Sequence, residues 1–160
     1  MRTLLRSTTL CVVGLMAGCS KSEVASAPTP APVVQAPKTA EAPKPTVEDS
    51  GFKLSLVAPG YNGSKEGKVE LTLEARGGYH VNQDYPIRVD FKAPADVKLD
   101  KTSLGKAEAT QFSEQSARFD VPFAATAGAH DVVATVDFAV CTKETCLPDQ
   151  RTVALALQVQ

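Results

Sequence analysis

Five stretches between residues 69 and 159 alternate apolar and polar side chains with a period of two. Val69, Leu71, Leu73 and Ala75 form the first, and Ile87, Val89 and Phe91 the second. Phe119, Val121 and Phe123 form the third, and Val132, Ala134, Val136, Phe138 and Val140 the fourth. Val153, Leu155, Leu157 and Val159 form the last. In an extended chain successive side chains point to opposite faces, so each run has one face to bury and one to wet. With Phe52 to Val57 and Val97 to Leu99 added, the count suits two packed antiparallel sheets. The expected fold is therefore all-β, an immunoglobulin-like antiparallel β-sandwich. Pro59-Gly60, Asn62-Gly63, Gly77-Gly78, Pro94 and Gly128 fall between the runs, where turns are needed. No long helical pattern competes, and no internal repeat is visible. Roughly 110 residues remain from Phe52 onward, enough for one domain, placed at 51–160.

The N-terminus has a different composition. Arg2 and Arg6 precede a short apolar stretch from Leu10 to Ala17, too short to span a bilayer, and no acidic residue appears before Glu23. Residues 1–18 read as a signal peptide. They end in Leu15-Met16-Ala17-Gly18 before Cys19, which resembles the lipobox of bacterial lipoproteins, although Met16 stands where leucine is usual. That resemblance implies a diacylated Cys19 as the mature N-terminus, with two or more acyl chains giving stable anchoring. The alternative is an ordinary secretory signal followed by a chance cysteine. Residues 19–50 then form a linker. Pro28, Pro30, Pro32, Pro37, Pro43 and Pro45 interrupt any packing pattern and favour extended conformations. The expectation is a disordered tether that holds the domain off a membrane, on the periplasmic side of a bacterial envelope. Ser20 after the lipidated cysteine leans towards the outer membrane, by analogy with enterobacterial sorting.

Basic and acidic residues nearly balance, at 17 and 18, and Arg2 and Arg6 leave with the signal. There is no basic patch, so nucleic acid is not an expected partner, and the membrane enters only through the lipid anchor.

Four cysteines reduce to one pair. Cys11 leaves with the signal and Cys19 carries lipid, so Cys141 and Cys146 remain, in an oxidising compartment. They flank a tight connection between a strand ending at Val140 and one beginning at Arg151. Opposed residues of an antiparallel pair lie close enough for a disulfide. As a staple such a bridge does little: a loop of about six residues contributes on the order of 2 kcal/mol, against about 4.7 for a hundred. A small ring at an exposed loop is better placed for exchange with a partner thiolate. Zinc binding by the two cysteines with His80 and His130 is disfavoured, because the histidines have no motif spacing to them. No metal and no cofactor is expected. No nucleophile elbow, zinc-protease helix, phosphate loop or Cys-x-x-Cys motif occurs.

Three segments together resemble the N-terminal periplasmic domain of the thiol:disulfide interchange protein DsbD, also called the disulfide bond corrector family. Gly78-Tyr79-His80-Val81-Asn82-Gln83-Asp84-Tyr85-Pro86-Ile87-Arg88-Val89 is similar to its glycine-aromatic strand segment. Phe119-Asp120-Val121-Pro122-Phe123 is similar to its proline-containing strand. Phe138-Ala139-Val140-Cys141 through Cys146-Leu147-Pro148 resembles its cysteine hairpin, which is the specific motif. The resemblance covers residues 52–160. It implies an immunoglobulin-like fold, and Cys141 and Cys146 as a redox pair. The pair would relay electrons from a membrane-embedded donor to thioredoxin-fold periplasmic proteins. It also implies a mobile cap loop over the disulfide, about Leu104 to Gln115 here, with Phe112 as its only aromatic. Tyr79 is implied near the cysteines. In DsbD this domain is fused to a transmembrane domain and a thioredoxin-like domain, whereas the expectation here is a lipid anchor and linker in their place.

Two functions follow as expectations. One is a lipid-anchored thiol:disulfide relay domain. The other is a non-enzymatic immunoglobulin-like envelope lipoprotein, a binding or assembly module with a structural disulfide. The reactivity of the pair separates them.

Overall fold

The computed structural model describes residues 44–160. The signal peptide at 1–18, Cys19 and most of the linker lie outside the described residues. The domain is all-β, with two antiparallel sheets packed as an immunoglobulin-like sandwich. The first sheet is built from β1 (Thr46–Glu48), β2 (Phe52–Val57), β3 (Glu66–Ala75), β9 (Ser116–Ala125) and β6 (Val97–Leu99), in that order. The two-residue β8 (Gln111–Phe112) also pairs with β9. The second sheet runs β11 (Cys146–Val159), β10 (Gly128–Cys141), β5 (Arg88–Lys92) and β7 (Ser103–Gly105). A short β4 (His80–Val81) pairs with the end of β10.

The alternation sets the layers. Val69, Leu71 and Leu73 of β3 face Val121, Phe119 and Ala117 across the β3–β9 ladder, all buried. From the other sheet, Val132, Ala134, Val136, Phe138 and Val140 of β10 enter the same core. Phe138 meets Phe52 of the first sheet edge-on, with ring centroids 4.8 Å apart, and so ties the two layers together.

Two boundaries differ from the sequence expectation. The chain is part of the fold before Phe52. β1 pairs with β2 from Thr46↔Ser55 to Glu48↔Lys53, Pro45 O accepts from Leu56 N, and Lys44 O accepts from Ala154 N of β11. Asp49 also pairs with Arg151 at 3.2 Å. The linker reading failed at 44–50 because three residues are too few to show alternation, and because Pro45 argued against a strand. An edge position tolerates proline, since the missing N–H faces away from the ladder. Limited proteolysis should therefore stop before Thr46. A stable fragment beginning at Phe52 would show that β1 contributes nothing.

The second shift concerns β11, which begins at Cys146 rather than Arg151. Pro148 lies within it, opposite Ala139. β11 is the outer strand of its sheet, so the proline again sits where no partner needs its N–H. The β10–β11 hairpin consequently pairs without interruption from Gly128↔Val159 to Cys141↔Cys146. This places the cysteines at the tip of the longest hairpin in the domain.

Candidate functional site: the hairpin-tip disulfide

Cys141 and Cys146 are joined by a disulfide, with Cα atoms 4.0 Å apart. Thr142 builds the turn that brings them together. Its N–H donates to Thr145 O at 2.8 Å, and its Oγ1 accepts from the backbone N–H groups of Glu144 and Thr145. A threonine at the start of a tight turn often supplies such bonds.

Period two decides which way the sulfurs point. Core-facing residues of β10 are even-numbered from Val132 to Val140, so Cys141 projects from the outer face of its sheet, and its register partner Cys146 does likewise. The two cysteines nevertheless differ. Cys141 is only 2% exposed, whereas Cys146, on the outer strand, is exposed. The cover over Cys141 comes from β4 and the turn that follows. His80 is its register partner on the far side from Cys146. Asn82 N donates to Ala139 O at 2.9 Å, extending the contact by one residue. The Asn82 side chain lies on the sulfurs, with Nδ2 3.3 Å from Cys141 Sγ and 3.7 Å from Cys146 Sγ.

The disulfide opens on a polar cleft of about 520 Å³. His80, Asn82, Asp84, Lys106, Glu114 and Thr142 line it with both cysteines. Leu147, beside Cys146, is 47% exposed. Its parity matches the core-facing residues of β11, yet it stays exposed opposite the buried Val140.

The segment expected as a cap loop, Leu104 to Gln115, is hydrogen-bonded at several points. Leu104 is buried in β7 and pairs with Val89. A 3-10 turn follows at Lys106–Glu108, and Glu108 Oε2 accepts from Gly105 N at 2.9 Å. That bond, ahead of the nearby Lys101, holds the Glu108 carboxyl below its ordinary range despite the opposing effect of desolvation. A lowered folded-state pKa adds stability above the ordinary carboxylate range and loses it as pH falls through the lowered value, so this anchor weakens only in acid. Further on, β8 pairs with β9, and Glu114 O accepts from Val81 N at 2.7 Å. The segment reaches the cleft through Lys106 and Glu114.

Phe112 does not line that cleft. It is half-buried against the core, with Lys106 Nζ 5.1 Å from its ring centroid. Tyr79 does not line it either. It packs over Gly51, where an added Cβ would lie 3.1 Å from the tyrosine ring. The neighbouring Gly77 must remain glycine, since at φ +60° its Cβ would fall 2.4 Å from Ser50 O. His80 shares the cleft with the cysteines, while His130 lies at the opposite end of β10, with Nε2 2.8 Å from Thr126 O. Sequence reasoning assigned no role to Asn82. Its signal was an asparagine followed by Asp84 and Tyr85, the pattern of a side-chain-capped turn.

No family model matches the chain, and no curated protein matches it. Among solved structures it is similar to the GAE domain of GGA2p from Saccharomyces cerevisiae, at 12% identity and a TM-score of 0.44, over 69% of this chain and 95% of that one. No residue role is carried over from that likeness.

Proposed function

We propose that this domain exchanges disulfides with thioredoxin-fold partners through Cys141 and Cys146, on a chain tethered to the cell envelope by lipid at Cys19. The observation that supports exchange is the asymmetry of the pair: one cysteine exposed at a hairpin tip, the other 2% exposed beneath Asn82. A bridge between adjacent, already paired strands adds little stability, whereas an exposed sulfur next to a polar cleft is open to in-line attack.

The chemistry follows from that asymmetry. A partner thiolate attacks Cys146 Sγ. A new sulfur–sulfur bond forms, the Cys141–Cys146 bond breaks, and its electron pair leaves on Cys141 Sγ. The partner's second thiolate then attacks its own sulfur in the mixed disulfide. This releases Cys146 as thiolate and the partner as a disulfide. Run backwards, the same steps reduce a partner disulfide. The domain needs no cofactor for this, but it requires a dithiol donor to be recharged. A membrane-embedded donor is the proposed source.

The test is equilibration of the folded chain with glutathione redox buffers, read at the 141–146 pair. The pair should open and close within the glutathione range. Persistence of the disulfide in the native state, at a potential below about −300 mV, would make it structural and sink the exchange reading.

A further inference from the structure

The orientation of the Asn82 amide is set by its other contacts. Its Oδ1 accepts from Asp84 N at 2.9 Å and from Tyr85 N at 3.1 Å. Two backbone donors on one atom identify that atom as the oxygen, because an amide nitrogen cannot accept. The NH₂ group must therefore be the end that faces the sulfurs, 3.3 Å from Cys141 and 3.7 Å from Cys146. The main chain is held as well, through Asn82 N to Ala139 O at 2.9 Å. The donor is thus preorganised from both ends of the residue, in a half-buried position.

We infer that Asn82 is a catalytic residue of the exchange reaction, donating a hydrogen bond from Nδ2 to the thiolate that forms on Cys141 Sγ when the disulfide opens. For its function this rests on the exchange reading above, but it can be measured without it. A disulfide sulfur is a weak acceptor, whereas a thiolate carries full charge, and hydrogen bonds to ionised groups are roughly twice as strong as neutral ones. The contact therefore gains strength as the S–S bond breaks, which is the condition for lowering a barrier rather than merely holding a ground state. Burial alone would oppose charge on Cys141. Asn82 offsets that opposition at the one sulfur that water reaches least. It also favours the reduced form, making the pair a better oxidant.

Asn82→Ser and Asn82→Asp separate this role from the turn. Aspartate keeps an oxygen for the Asp84 and Tyr85 N–H groups but turns the donor facing the sulfurs into a carboxylate oxygen. Serine removes the amide donor without adding charge, leaving only a shorter hydroxyl at the position. Full-length variants are equilibrated in dithiothreitol redox buffers over a range of pH, quenched by alkylation, and read at the 141–146 pair by peptide mass spectrometry.

In the serine variant the equilibrium should move about tenfold towards the disulfide, or about 30 mV. In the aspartate variant it should move at least as far. The break in its pH dependence that marks the thiolate should rise by about one unit. His80, Asp84, Lys106 and Glu114 share the cleft, with Lys143 and Glu144 at the tip, and both variants keep them unchanged. Wild-type equilibrium and wild-type pH break in both folded variants would overturn the proposal. If serine loses the fold along with the turn, the aspartate variant still overturns the proposal by keeping the wild-type equilibrium and pH break, since its added carboxylate can only disfavour the thiolate further. Dithiothreitol reaches lower potentials than glutathione, so the Asn82 effect is readable even on a pair that glutathione cannot open. That result would end the exchange reading and the catalytic role with it, and leave standing only the hydrogen bond from Asn82 to the Cys141 thiolate. A glutathione-labile pair indifferent to Asn82 would do the reverse.

Discussion

Cys141→Ala is expected to leave a chain that forms stable mixed disulfides through Cys146, whereas Cys146→Ala is expected to form few. Exchange requires three sulfurs in line, and only a sulfur that a partner can approach supports it. Cys146 is exposed on the outer strand. Cys141 is 2% exposed and covered by the turn carrying Asn82. With Cys141 gone, Cys146 can attack a partner disulfide and nothing in the domain can resolve the product. With Cys146 gone, the remaining thiol is the inaccessible one. Labelling by an aromatic disulfide, followed peptide by peptide, should be on the order of tenfold faster at Cys146 in the first variant than at Cys141 in the second, because access limits the rate at the buried thiol. An oxidised thioredoxin-fold protein in place of the reagent should show the same order. Equal rates would mean that burial does not decide which sulfur is attacked.

Phe138→Ala should destabilise the domain by about 3–5 kcal/mol, the usual cost of emptying a buried phenylalanine site. Phe138 is completely buried, and its ring meets Phe52 at 76° across the two sheets, so its loss opens a cavity where the layers meet. Removing both cysteines should cost about 2 kcal/mol or less, since their bridge closes a six-residue ring between strands already in register. Against a typical total of roughly 5–15 kcal/mol, the first change threatens folding and the second does not. Urea denaturation of the two variants measures both. The opposite order would make the disulfide the chief support of the fold, and the exchange reading would lose one of its arguments.

The β-sandwich was legible because alternation is a local property. Val132 through Val140 record in their own order which face is buried, and no knowledge of the partner strand is needed. The pairing of Cys141 with Cys146 was legible for a similar reason, since five residues of separation leave the chain little choice. β1 was not legible, because it exists only through pairing with β2 and a bond to β11. Phe112 and Tyr79 drew attention as aromatics near the right segments. Where each ring packs depends on its neighbours in space: Lys106 over one, Gly51 under the other.

By itself, then, the sequence determined the strands that alternate, their buried faces and the cysteine pair, all of which follow from spacings of two to five residues along one chain, but not the short β1, β4, β7 and β8. Only the tertiary structure decided which cysteine is exposed and which side chain lies on the sulfurs. Asn82 and Cys141 are 59 positions apart. Their contact arises because β4 docks beside the end of β10, burying one sulfur of the pair and leaving the other, on the outer strand, exposed.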